Sequence, residues 1–323
     1  MIPEFLTGVI APMFTPCKTD GSLDPKGASE FAQFLLDRGA VTTVFARSGL
    51  GRMYTFTKAE AKQIIGAVIE TVGAQAGVVA GTAGIWDRNP SEKPDPQRYT
   101  EEAIELTQYA KDKGANGAVL VIPEALPEEP RATLHDRMCE YYQTVARAVD
   151  IPVVLYHPGN TREPHRMTPG LFRNLVQIDG IVGMKYSTMD MDAFAGVARF
   201  APDDFALIAG AESVFLPALV LGGVGVIGQG CCVCPEILRA VYDHYRSGEI
   251  GLARKAQFDV NDLLEDSAEI DVSVFGKTYA MKKGYGVSPY LRATERAVTE
   301  EQYESYAAVL EEKLASYPVR ARV

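Results

Sequence analysis

The 323-residue sequence is short of several things, and each shortage closes a class of function. It has no basic excess: 42 acidic side chains face 32 Lys and Arg, a formal charge of −10. A nucleic-acid backbone or an anionic membrane surface needs a positive field to hold it, so neither is an expected partner. No apolar run approaches the roughly 20 residues that span a bilayer. The opening stretch MIPEFLTGVIAPMFTP carries no charged leader and is broken by prolines, which predicts an unexported protein. Five cysteines are too few, and odd in number, for a disulfide framework. Free thiols in a reducing compartment, the cytoplasm, are expected. The four histidines, at 135, 157, 165 and 244, are scattered along the chain.

What is present is one alternation, repeated. Short apolar runs occur at 8–14, 42–46, 77–81, 117–122, 152–156, 180–185, 205–210 and 223–228, and they read as strands buried on both faces. Between them lie segments of helical spacing such as KGASEFAQFLLDRGA and KAEAKQIIGAVIETVGA. Eight strand-then-helix units are the signature of a parallel (β/α)8 barrel, a TIM barrel. An open doubly wound sheet is the competing fold. It would carry a Gly-rich turn after the first strand, where APMFTPCKTDGS stands instead. From residue 235 the strand signal stops while PEILRAVYDHYRSGE, IGLARKAQFDVNDLLEDSAE and TEEQYESYAAVLEEKLASY continue the helical pattern. The expected division is a barrel over 1–234 and a C-terminal helical domain over 235–323. WDRNPSEKPDPQ, at 86–97, reads as a surface loop on the mouth that carries the chemistry.

GIVGMKYST, at 180–188, runs an apolar strand straight into Lys185. An ammonium is among the last groups a core accepts. At the C-terminal end of a barrel strand, partial burial lowers the amine's pKa and leaves a nucleophile for a carbonyl. Tyr156 ends the preceding strand, one strand spacing of roughly 4.8 Å away, and its phenol is placed to shuttle protons. The same spacing also admits a lysine snorkelling to the rim and a tyrosine packed under a loop.

The chain resembles the dihydrodipicolinate synthase / N-acetylneuraminate lyase family of class I, Schiff-base, pyruvate-handling lyases. The resemblance rests on LTGVIAPMFTPCKTDGSLD, GVVAGTAG, DIPVVLYHPGNT, IDGIVGMKYST and LPALVLGGVGVIGQG, in that order and spacing. It implies a (β/α)8 barrel with a helical extension, an imine on Lys185, proton relay by Tyr156, assembly as a homotetramer (a dimer of dimers), and neither a metal nor an organic cofactor. It also implies a 2-oxo-acid pocket that includes Ile227 and the turn Ser48, Gly49, Leu50 and Gly51.

Three departures shape the expected substrate. Where the family has Gly-Thr-Thr-Gly-Glu, this chain has SGLGRMYTFT, so Leu50 stands where a relay hydroxyl belongs, while the glycine-rich turn still offers amides to a carboxylate. Glu124 and Ala125 occupy the place of the synthase's second tyrosine. Its substrate-binding arginine falls at Asn160, with Arg162 two residues on. These replacements speak against aspartate semialdehyde. The expected function is a class I lyase acting on pyruvate or another 2-oxo acid by aldol cleavage, condensation or dehydration of a 2-oxo sugar acid. The alternatives are dihydrodipicolinate synthase proper, or a non-catalytic 2-oxo-acid binder on the same fold. CCVC at 231–234 suggests a thiolate metal site only superficially, because zinc spacing and further ligands are missing. His157 is expected to make local hydrogen bonds, and Glu124 to belong to a solvated acidic loop. Arg47 and Arg52 flank the altered turn, either one able to point inward.

Overall fold

Strands with no alternation of polar and apolar residues must be covered on both faces, and these are. The computed structural model describes residues 1–127, 130–292 and 297–319. It contains β1 (Gly8–Pro12), β2 (Thr43–Ala46), β3 (Gly77–Gly81), β4 (Gly117–Val121), β5 (Val153–His157), β6 (Ile181–Tyr186), β7 (Ala206–Ala209) and β8 (Gly225–Val226). Within them only Gly77 and Val182 are less than fully buried. All eight strands are parallel and neighbour one another in chain order. Gly8 and Val9 pair with Gly225 and Val226, which closes the barrel and leaves no free edge. The last strand keeps only two ladder residues of the six expected, because the chain turns at once into a short helix.

The outer layer consists of α1 (Pro25–Asp37), α2 (Lys58–Val72), α3 (Pro96–Lys113), α4 (Arg131–Ala148), α5 (Pro169–Leu175), α6 (Met191–Ala198), α7 (Phe215–Val220) and the single turn α8 (Gly230–Val233). Three of these helices start by one device, a side-chain acceptor followed by proline. Asp24, Asp95 and Thr168 accept the amides of Gly27, Arg98 and Leu171 at 2.9, 2.9 and 3.1 Å. Pro25, Pro96 and Pro169 follow them, where a missing N–H costs nothing. The helical extension comprises α9 (Pro235–Arg246), α10 (Ile250–Asp266), α11 (Val272–Lys282) and α12 (Glu300–Leu314). Of these α11 had no clear helical signature, since Gly276 and β-branched residues interrupt its pattern. No helix among the described residues is long and apolar enough to cross a membrane.

The extension is tied to the barrel by a nearly buried ion pair. Arg38, at the end of α1, donates through Nε and Nη2 to both carboxylate oxygens of Glu236 on α9, at 2.5 Å each. Its guanidinium also lies 5.5 Å from the Phe34 ring and 5.8 Å from the Tyr279 ring of α11. The two side chains are 8% and 13% exposed, so removing one partner strands a desolvated charge. Glu236→Gln is expected to destabilise the protein by about 3 kcal/mol, whereas Arg38→Met with Glu236→Met recovers most of the loss. Urea unfolding midpoints of the single and double variants decide this; equal midpoints for wild type and Glu236→Gln would refute it.

Candidate active site

Strand alternation sorts the side chains at the barrel mouth. Tyr156 on β5 pairs in register with Lys185 on β6, and His157 with Tyr186. The first pair meets: Lys185 Nζ stands over the Tyr156 ring, 4.3 Å from its centroid. The second pair, on the opposite face, stacks edge to face at 5.3 Å. His157 Nε2 accepts the Met167 amide at 3.0 Å, and burial lowers its pKa to about 4. His157 therefore makes local hydrogen bonds, as expected of it.

Lys185 is only 3% exposed, which rules out snorkelling to the rim. Burial lowers its pKa to about 8, with the Glu212 carboxylate pulling the other way. Burial raises that of Tyr156 to about 12, with Arg88 opposing. An amine that readily sheds its proton thus sits against a phenol that keeps one.

Glu212, in the turn after β7, is a site residue that sequence reasoning missed; its only signal was an acid just past a strand's C-terminal end. Its Oε1 accepts the Gly230 amide at 2.7 Å, and burial raises its pKa. A Cβ at Gly228 would come within 1.8 Å of Glu212 Oε2, so only glycine lets this carboxylate occupy its slot. Beside it the thiols of α8 go to separate carbonyls: Cys231 Sγ to Val226 at 3.6 Å, Cys232 Sγ to Pro12 at 3.5 Å. Burial raises both pKa values, so they stay protonated. Among the described residues no three His, Cys, Asp or Glu side chains are grouped to hold a metal.

The Ser48–Gly51 turn packs directly on the Tyr156 hydroxyl. A Cβ at Gly49 would lie 2.9 Å from Tyr156 Oη, which explains a glycine there. Ser48 Oγ donates to the Met13 carbonyl and accepts the Gly51 amide, both at 2.9 Å, so the hydroxyl shapes the turn. The Leu50 side chain is 36% exposed. Ile227 lies in the core just past β8, its amide bonded to the Ala209 carbonyl at 2.8 Å. Arg47 does turn inward, but toward the backbone: Nη1 donates to the carbonyls of Gly81 and Ala83 at 3.0 and 2.9 Å, tying β2 to β3. Arg52 adopts a left-handed backbone, with φ of 61°, at the outer edge of the turn.

The expectation for Glu124 is corrected. It is 4% exposed and paired, not part of a solvated loop. Arg88 Nη2 donates to its Oε2 at 2.5 Å, and Arg162 donates to its Oε1 through the backbone amide at 2.8 Å and Nε at 3.4 Å. Arg88 also donates to Asn160 Oδ1 at 3.3 Å and lies over the Tyr54 ring at 5.0 Å. Asn160 and Arg162 are thus gathered with two residues sequence reasoning did not place beside them. Arg88 comes from the loop after β3, and nothing in WDRNPSEKPDPQ marks one of its charges as inward-facing.

The amine's environment fixes two pH dependences. Labelling of Lys185 by a reagent that attacks neutral amines should rise with pH through about 8 and then level off, as the neutral amine becomes the dominant form. Between pH 8 and about 10.4 the unfolded chain holds a proton on Lys185 that the folded chain lacks, so this group's contribution to stability grows as pH rises. Lys185→Met should therefore melt above wild type at pH 7, with the gap narrowing toward pH 10. Thermal melts at the two pH values test this, and a lower melting temperature for the variant at pH 7 contradicts it.

The sequence profile described as the dihydrodipicolinate synthetase family matches residues 5–313. An uncharacterized DapA-like lyase of Thermofilum pendens is 28% identical over 313 residues, covering 94% of this chain and 96% of that protein. The crystal structure of dihydrodipicolinate synthase from Aquifex aeolicus superposes with a TM-score of 0.77 at 24% identity, over 97% of this chain and 99% of that one. The N-acetylneuraminate lyase from Mycoplasma synoviae gives 0.80 at 19% identity, over 96% and 98%. At these identities the structural likenesses speak for the fold. The profile match spans nearly the whole chain, and the protein belongs to the dihydrodipicolinate synthetase family.

Proposed function

We propose that this protein is a class I lyase whose Lys185 forms an imine with pyruvate or another 2-oxo acid. The observation that carries the reading is the pairing of Lys185 with Tyr156: a dry amine with its pKa lowered to about 8, 4.3 Å from the centroid of a phenol ring. In this reading the neutral amine attacks the 2-oxo carbon, and the carbinolamine loses water as Tyr156 passes protons. The iminium then serves as the electron sink for breaking or forming a bond one carbon away. The Ser48–Gly51 turn, abutting the Tyr156 hydroxyl, holds the 2-oxo carboxylate, with Ile227 closing the pocket floor. Asn160 and Arg162 contact the distal part of the substrate. Aldol cleavage or condensation, and dehydration of a 2-oxo sugar acid, share these steps. Family membership supports a lyase of this general kind. The exposed apolar side chains Val220, Leu252 and Phe258 suit a homotetramer.

Borohydride with pyruvate should inactivate the protein and leave a reduced pyruvyl adduct on the peptide carrying GMKYST. Peptide mass spectrometry reads the site; an adduct elsewhere, or none with any 2-oxo acid, sinks the proposal. Tyr156→Phe should keep the adduct but slow its formation by about 10²- to 10⁴-fold. Because the iminium does the work that a divalent metal does in class II enzymes, trapping and turnover should survive exhaustive chelation. Loss on chelation with recovery on adding zinc would bring the thiols of α8 into the mechanism.

A further inference from the structure

A buried carboxylate calls for a cation, and Glu212 has none in contact. It is 6% exposed. Its Oε1 accepts the Gly230 amide, and among the described residues no lysine or arginine side chain is bonded to it. The amides of Gln229 and of Glu212 itself add to the support of the ionised form, and the cation whose charge acts on it is Lys185. The relation is mutual. Tyr156 of β5, Cys231 and Cys232 of α8 and Glu212 after β7 surround the Lys185 amine. The phenol and the thiols keep their protons, which leaves Glu212 as the anion among them.

The carboxylate is held where it stands from two sides. β6 and β7 are neighbours, with Lys185 in register with Ile208, and Glu212 opens the turn that follows β7. Glycine at 228 leaves it a slot. From the helical extension comes Gln257 of α10, itself buried. Its Oε1 accepts the Leu216 amide at 2.8 Å and its Nε2 donates to the Glu212 carbonyl at 2.9 Å, so one carboxamide ties both ends of the turn that carries Glu212. An apolar side chain would pack α10 against the barrel without the desolvation that a carboxamide suffers. Burying a carboxamide is tolerated only when its hydrogen bonds are made, and these are made to this turn.

Lys185 and Glu212 are not bonded to each other. A direct ion pair would tie up the amine's hydrogens, whereas a carboxylate set off contact stabilises positive charge on the nitrogen and leaves its lone pair free once the proton departs. We propose that Glu212, held in place by Gln257 of the helical extension, is a positioning residue of the active site: the fixed counter-charge to the cation that Lys185 carries, first as ammonium and then as iminium. The iminium half of this rests on the proposed function, and the ammonium half stands without it. Burial still outweighs the carboxylate, since the amine remains below its ordinary range. The counter-charge keeps it from falling further.

Labelling by a reagent that attacks neutral amines, read by mass spectrometry on the peptide carrying GMKYST, gives the pH midpoint of Lys185 and needs no substrate. Glu212→Gln should lower that midpoint by about one pH unit, and Glu212→Asp, which keeps the charge, should restore most of it. Gln257→Leu should lower it by less, because a turn cut loose lets water screen the carboxylate. In wild type the midpoint should hold steady from about 0.1 to about 1 M salt, since a buried charge escapes screening. A fall of about one unit over that range would assign the counter-charge to the surface field of a protein carrying −10, and overturns the inference whether or not the variants fold. Coincident midpoints for wild type and Glu212→Gln overturn it as well. Borohydride trapping separates this from the proposed function: Glu212→Gln should need about tenfold more pyruvate for half-maximal trapping. If wild type traps pyruvate and Glu212→Gln leaves the midpoint in place, the imine stands and this inference falls. If the midpoint shifts as expected but wild type traps no 2-oxo acid, the counter-charge stands and the proposed function has failed.

Discussion

Taking an ammonium out of water is the constraint around which this site is built. Lys185 reaches the barrel mouth on a strand whose other residues are apolar, and its burial is nearly complete. The surroundings do little to compensate the charged form: an aromatic face, two protonated thiols and one carboxylate whose own pKa is raised. Register then does the rest. Because Tyr156 and Lys185 are Cα partners on adjacent parallel strands, their side chains leave the sheet on the same side. A slip of one residue would put His157 beside the amine instead and send Tyr156 to the helical layer.

Burial alone does not make a lysine reactive, and the chain contains its own comparison. Lys277 on α11 is also fully buried, and burial lowers its pKa to about 8 as well. Its Nζ donates to the Tyr290 carbonyl at 2.6 Å, which anchors the segment after α11. One lowered amine is committed to a backbone acceptor, and the other stands at the open end of the barrel over a phenol. The difference lies in position and partner, not in the titration.

The rest of the mouth divides into a dry half and a charged half. On the β6, β7 and β8 side, Lys185, Glu212 and the α8 thiols lie packed, with glycine at 228 making room for the carboxylate. On the β3, β4 and β5 side, Arg88 and Arg162 pair with the buried Glu124 at the edge of solvent. Arg47, next in sequence to the Ser48–Gly51 turn, is spent on backbone carbonyls. Tyr156 stands where the halves meet, with Gly49 against its hydroxyl and Lys185 over its ring.

The sequence by itself determined the barrel, its eight strands in order, the helical extension and the placing of Lys185 beside Tyr156. These are local or nearest-neighbour properties: a doubly buried strand must be apolar along its whole length, a cap-plus-proline starts a helix, and residues ending consecutive parallel strands are neighbours. Tertiary structure alone decided the fate of the remaining charges. Glu124 reads as one acid in PEALPEEP until Arg88 and Arg162, 36 residues before and 38 after, close on it. Glu212 reads as a turn acid until Gly228 opens a slot for it. Whether a charged side chain is solvated or buried depends on partners that arrive from other loops, and only closure of the barrel, which gathers those loops at one rim, brings the partners together.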